Sequence, residues 1–248
     1  MHYREYLELD ALLSLQHPRV PAGQGHRVWA AEHFFIVGHQ CCELWLCQVL
    51  LDLDSATDAL TAPNIAGELA LEHLSRVVHV FGVLYEQVVV LDRLPSRCFA
   101  RFRPYLGSAS GAQSTQFREL DRRLGVTSAG SPIERAFLSA VAASELELSD
   151  LCRTELAAGV LHRIIDTLLD IAQNYWQWKI AHLSLVSRLL GDIGGTAGTS
   201  GAAYLTQHVQ LPFPDLRHAR KISDFPEPEE HATKGKPAQR AGFPSQRR

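Results

Sequence analysis

The sequence predicts an all-α protein, on three observations. Apolar residues recur at helical spacings over long runs, and proline and glycine punctuate those runs. No segment alternates apolar and polar residues at a period of two between hairpin turns, so strands are not required. The chain has 248 residues, 46% hydrophobic and 21% charged. That supplies enough apolar material for a substantial core and excludes a disordered body.

In the opening YREYLELDALLSLQ, Tyr3, Tyr6, Leu7 and Leu13 fall at helical spacings, so a helix is expected over about 3–17, with Pro18 behind it. Pro21, Gly23 and Gly25 make a loop. A long amphipathic helix is expected over about 28–59, carrying Trp29, Phe34, Phe35, His39, Leu44, Trp45 and Leu50. Another covers 64–94 and stops at Pro95. A shorter helix over 96–106 leads into the small-residue stretch 107–114, and 116–124 reads as one more. Ser131-Pro132-Ile133-Glu134 is a capping box with proline at the first helical position. Helix then continues, with a break near Gly159, to Leu190, where Gly191 is suited to a C-terminal cap. The segment 194–201 has little side-chain bulk and many backbone N–H groups, as a loop that closes over a ligand would. Beyond it, LPFPDLRHARKI keeps apolar anchors for one short docked helix, and 223–248 reads as a mobile tail. The expectation is one helical domain over 1–222.

Charge and cysteine usage narrow the function. A net charge of −3 makes no electrostatic case for a nucleic acid or an anionic membrane as partner. Five cysteines with no CxxC spacing argue against a disulfide framework, a zinc knuckle and a covalently attached c-type haem. The N-terminus lacks the basic start and apolar run of a signal peptide, and no run is read as long enough to span a membrane. A reducing cytoplasm is the expected setting.

Phe35 and His39, four apart, share a helix face and are placed to flank a flat ligand together. His182 lies one turn after Trp178 on an aromatic-rich helix. Arg103 sits among aromatic residues before a Ser/Gly turn, where a guanidinium fork suits a carboxylate better than lysine does. Thr196, between glycines, is a further donor. Taken singly, each has an ordinary explanation: core aromatics, hydrogen-bonded core histidines, a solvated arginine, a loop threonine. The glycine-rich segment follows a helix rather than a strand, so dinucleotide-loop reasoning does not apply.

Taken jointly and in order, YREYLELDALLSLQHP, FFIVGHQCCELW, FRPYLGSASGAQSTQFR and HLSLVSRLLGDIGGTAGTSGAAYL, with FPDLRHAR trailing, resemble the tryptophan 2,3-dioxygenase family. The resemblance covers most of the chain to about Arg220, except 125–161. It implies a helical bundle with a pocket for haem b, and an enzyme that uses O2 to oxidise the indole C2–C3 bond of tryptophan. It implies a homo-oligomer, a dimer or tetramer. By position it makes His182 the proximal haem-iron ligand, and puts Phe35 and His39 on the distal wall with His39 near the indole N–H. Arg103 matches the arginine that pairs with the substrate carboxylate, and Phe99 faces the same pocket. Thr196 matches a contact to the amino-acid end of the substrate. Ser110 and Gly111 lie in the turn near the haem edge. Tyr3, Tyr6 and Leu7 match an N-terminal helix that completes a neighbouring subunit's site.

Three departures accompany the resemblance. Ala112 stands where the family's turn carries phenylalanine, Ala197 where it has glycine, and 125–161 is shorter than expected. A roomier site would accept a β-methylated or ring-modified tryptophan. The expected reaction is therefore ring-opening dioxygenation to N-formylkynurenine, with monooxygenation of a tryptophan derivative or another aromatic amino acid as the alternative. A non-catalytic haem or ligand-binding protein is the alternative from another class, which retention of His39, Arg103 and Thr196 disfavours.

Overall fold

The computed structural model describes residues 1–126, 130–144, 146–152, 159–191 and 209–224. Among these residues every regular element is helical, as the periodicity predicts. The α-helices are α1 (Tyr3–Tyr6), α2 (Leu9–Leu12), α3 (His26–Thr61), α4 (Gly67–Leu91), α5 (Ser96–Phe102), α6 (Thr115–Arg123), α7 (Pro132–Ala143), α8 (Leu148–Leu151), α9 (Val160–Leu190) and α10 (Pro214–Asp224). The expected tail lies outside the described residues except for its first two, which continue α10.

The N-terminal helix expected over 3–17 is two short helices instead. Glu8, between α1 and α2, takes the left-handed region with φ +50°, and neither helix buries a residue. One turn of helix without tertiary packing does not propagate. The segment after α2 is nonetheless tied down. Gln16 donates to Gln40 at 2.7 Å, and the Arg19 and Val20 amides donate to the buried Glu32 carboxylate at 2.9 and 2.8 Å.

α3 runs 36 residues to Thr61, and its C-terminal cap Ala62 precedes Pro63 and is extended as a pre-proline residue prefers. α4 packs along α3 on one side and along α9 on the other. The main core lies between them: Leu46, Val49 and Leu53 of α3, Leu74, Val77, Phe81 and Leu84 of α4, and Ile164, Ile165, Leu168, Tyr175 and Trp178 of α9. Each such large side chain, fully buried, contributes about 1.5–3 kcal/mol. The α3–α4 crossing is close: a Cβ on Gly38 would stand 2.6 Å from Leu91 Cδ2. A second, smaller core joins the start of α3 to α5 through Val28, Ala31, Leu94, Cys98, Phe99 and Phe102.

Asp52 is the polar exception inside the α3–α4 seam, 1% exposed. Arg76 grips it through Nε and Nη2 at 2.9 and 2.7 Å, Gln48 donates at 3.0 Å, and His73 Nδ1 lies 2.9 Å away. Burial pushes the carboxyl up, but these hydrogen bonds outweigh it and bring its pKa down to about 2. A depressed carboxylate stabilises the fold above its unfolded pKa of about 3.9, and that contribution disappears as the pH falls through about 2. We expect Asp52→Ala to cost about 3 kcal/mol at pH 7 and to flatten the acid limb of a urea-midpoint profile between pH 4 and 2. A variant with wild-type midpoints throughout would remove this role.

The capping box at Ser131 forms by half. Ser131 Oγ accepts from the Glu134 amide at 3.2 Å, whereas the buried Glu134 carboxylate accepts from the Leu216 amide of α10 at 3.4 Å. Tertiary packing claims the side chain that a local motif would have used. Phe213 and Leu216, both fully buried, seat the C-terminal helix, and the break expected near Gly159 falls at the start of α9, with Gly159 at φ +141°.

One expectation needs correcting. α3 and α4 each contain an 18-residue window with mean hydropathy 1.5, enough by length and composition for a span. Scattered polar residues such as His39, Gln40 and Glu43 interrupt these runs without lowering their average below that level. The α4 window is 39% buried inside the chain and the α3 window only 11%, so much of α3's apolar surface is left uncovered by its own chain.

Candidate active site

α3 supplies one group of candidate residues. The Phe35 and His39 rings lie with centroids 4.1 Å apart at 38°, the contact that a four-residue spacing allows. His39 Nδ1 is 2.8 Å from the Phe35 carbonyl oxygen. A carbonyl only accepts, so Nδ1–H donates and the neutral ring presents Nε2 as an acceptor. Burial lowers the His39 pKa against smaller opposing contributions from the Phe35 carbonyl and Glu43, which keeps the ring neutral at pH 7. His39 as a whole is nonetheless exposed.

α9 supplies a second group of candidate residues. His182 is half-buried, and its pKa is pushed down to about 4, first by burial and then by His39 and Lys179. The two imidazoles are thus within electrostatic reach of each other, from two helices that both pack on α4.

α6 links α3 and α9. Gln116 donates to the backbone and side-chain oxygens of Glu43 on α3 at 2.8 and 2.7 Å. On the other side, Asp121 accepts from the Tyr175 hydroxyl at 2.7 Å and from Lys179 Nζ at 3.2 Å. Phe117 stacks on Trp178, with centroids 5.4 Å apart at 15°, and lies 6.5 Å from the His182 ring at 29°. Sequence reasoning passed over Gln116, Phe117 and Asp121. A signal was present: Phe117 and Leu120, three apart, are the large apolar residues of an otherwise polar nine-residue helix, and such a pair must face something buried.

α5 closes one end. Phe99 and Phe102 pack edge to face at 5.3 Å and 83°, and Phe35 lies 6.0 and 5.5 Å from them. Arg103 follows at once, half-buried, in the 3-10 turn Arg103–Leu106. The structure therefore brings Phe35, His39, Phe99 and His182 around one region, with Arg103 next to the aromatic trio. Ser110 and Gly111 lie in the turn that feeds α6, where Ser110 Oγ accepts from the Ala112 amide at 3.3 Å and its own amide donates to Gln113. Tyr3, Tyr6 and Leu7 are not drawn into the chain's own interior; Tyr3 and Tyr6 are 76% and 72% exposed. Thr196, Ala197 and the rest of the glycine-rich segment lie outside the described residues.

Fold and site together define an all-helical protein with an aromatic cluster flanked by two histidines, one on α3 and one on α9, within electrostatic reach of each other. A family model for tryptophan 2,3-dioxygenase matches residues 1–158 and 151–221, and the two matches meet within the stretch expected to be shortened. Curated proteins named tryptophan 2,3-dioxygenase are similar over nearly their whole length. The one from Kineococcus radiotolerans is 31% identical over 89% of this chain and 90% of its own. That from Herpetosiphon aurantiacus is 31% identical over 86% and 95%, and one from Burkholderia pseudomallei is 30% identical over 89% and 84%. The chain belongs to the tryptophan 2,3-dioxygenase family and is an oxygenase.

Proposed function

We propose that this protein is a haem b-dependent oxygenase acting on the indole C2–C3 bond of L-tryptophan or a close derivative, by default through ring-opening dioxygenation to N-formylkynurenine. The neutral imidazoles of His39 and His182, from two helices and within electrostatic reach of each other, carry this reading. The residues present fit haem: His182 offers an unprotonated nitrogen from a 31-residue helix, backed by Phe117 and Trp178, and a second imidazole, His39, is within electrostatic reach. His182 is the proximal ligand, with Ser110 and Gly111 at the haem edge. When bound, the haem iron binds and activates O2.

The chain's own residues bind and orient the substrate. Phe35 and Phe99 pack the indole ring, and His39 Nε2 accepts a hydrogen bond from the indole N–H without needing to be a strong base. Arg103 pairs with the substrate carboxylate through a bidentate fork, and Thr196 contacts the amino-acid end. Tyr3, Tyr6 and Leu7, exposed on a segment that buries nothing, complete the site of a neighbouring copy in a dimer or tetramer. The uncovered apolar residues of α3 support such an assembly, in the cytoplasm. The stretch over 125–161, shorter than the family's, reflects a trimmed helical excursion, and residues 1–222 form one catalytic domain with a tail beyond.

Monooxygenation of a methylated tryptophan is the second reading. Ala112 favours it, because an exposed methyl stands in the Ser110 turn where the family has a phenylalanine ring. Purified protein should show a Soret band that shifts when L-tryptophan is added. Product mass then separates the reactions: a gain of two oxygen atoms supports dioxygenation and a gain of one supports the alternative. Protein that takes up no haem when haem is supplied would overturn both.

A further inference from the structure

Arg188 occupies the last turn of α9, two turns beyond His182, and all three of its guanidinium nitrogens are used. Nε donates to Asp92 Oδ1 at 2.6 Å, and Nη2 to the Asp92 carbonyl at 2.7 Å. Nη1 donates to Ser96 Oγ at 3.1 Å and to the Leu94 carbonyl at 3.3 Å. These acceptors lie at three successive places in the corner between α4 and α5: the C-terminal cap of α4, the connecting residue, and the first residue of α5. A cation there also complements the carbonyl end of α4. The next two residues, Leu189 and Leu190, pack against the small core that contains Phe99 and Phe102. One turn of α9 therefore holds the start of α5 by a planar fork and by two apolar side chains.

α9 and α5 carry the two halves of the proposed site. His182 is on α9, while Phe99 is on α5 and Arg103 is in the turn that continues it. We propose that Arg188 is a positioning residue: it sets α5, and with it the substrate-holding Phe99 and Arg103, at a fixed distance from the iron ligand. This rests on the proposed function. Arg188 touches neither ligand in this account and acts through Asp92, Leu94 and Ser96. The requirement is for a fork rather than a charge, because backbone carbonyls and a hydroxyl at divergent angles are reached together by a guanidinium and not by an ammonium.

The test compares Arg188→Lys and Arg188→Ala with wild type in the full chain loaded with haem b. Haem content and Soret intensity should stay within about twofold of wild type, while the L-tryptophan dissociation constant, read from the Soret shift, rises about tenfold in both. Amide hydrogen exchange over residues 96–106 should speed up by about tenfold in both. If Arg188→Ala does not fold, Arg188→Lys decides alone. Substrate affinity within about twofold of wild type, or equal loss of haem and substrate, would overturn the positioning role. Should wild type itself take up no haem, the proposed function fails; exchange over 96–106 then still decides whether Arg188 anchors α5, with wild-type rates in Arg188→Lys overturning it.

Discussion

His182→Ala protein is expected to emerge from purification with roughly a tenth or less of the wild-type haem, and with no detectable oxygenase activity, because, on the proposed function, His182 is the residue that would tie the haem iron to the chain. The effect should be specific. His182 is half-buried on a helix whose packing comes from Tyr175, Trp178 and Leu185, so its removal leaves the α4–α9 core in place. The imidazole is neutral at pH 7, and burying it produced no ion pair that its loss could break. Far-ultraviolet circular dichroism and the urea midpoint should therefore stay near wild type while the Soret band is lost. A pyridine haemochrome assay gives the haem content directly. Normal haem content with an unchanged Soret maximum would mean that the iron is held by another residue, and the assignment of the site would have to be redrawn.

Arg103→Lys is expected to weaken L-tryptophan binding at least tenfold, about 1.4 kcal/mol or more, with haem content unchanged. Lysine keeps the charge but replaces a planar, two-pronged donor by a point charge on a flexible stem. Arg103 follows directly on Phe99 and Phe102, both buried and in contact with Phe35, so the backbone that carries it is held by an aromatic cluster. An amino acid bound there would have its ring against that cluster and its carboxylate on the guanidinium. A titration with indole, which has no carboxylate, separates the two contributions: indole affinity should be nearly the same in wild type and Arg103→Lys. Equal loss of indole and tryptophan affinity would point to a collapsed pocket instead of a lost clamp. Equal loss of haem and tryptophan would count against the clamp in the same way.

Much of the site was legible because its chemistry-bearing residues sit in short, ordered motifs. Phe35 and His39 share a face by their spacing alone, and the structure adds the Nδ1–carbonyl bond that leaves Nε2 as the acceptor. Arg103 was found through an aromatic run next to a small-residue turn, and Phe99 only through the family resemblance. What escaped the sequence was everything that depends on which helix lies beside which. Phe117, Asp121 and Gln116 matter because α6 touches both α3 and α9, and Arg188 matters because α9 ends against the α4–α5 corner. The same dependence turned the capping box at Ser131 into half a box, since Glu134 serves α10 instead. It also divided the N-terminal helix, whose two pieces bury no residue against the rest of the described chain.

The sequence by itself determined the helical class, the approximate extent of α3, α4 and α9, and both candidate histidines. Helical periodicity, capping and proline punctuation are local, and they survive into the fold wherever a long apolar face is available to bury. Only the tertiary structure decided that His39 and His182 come within electrostatic reach of each other, that both are neutral, and that Asp52 lies ionised inside the α3–α4 seam. Those properties come from burial and from neighbours more than a dozen residues away along the chain, and neither is written in any single stretch.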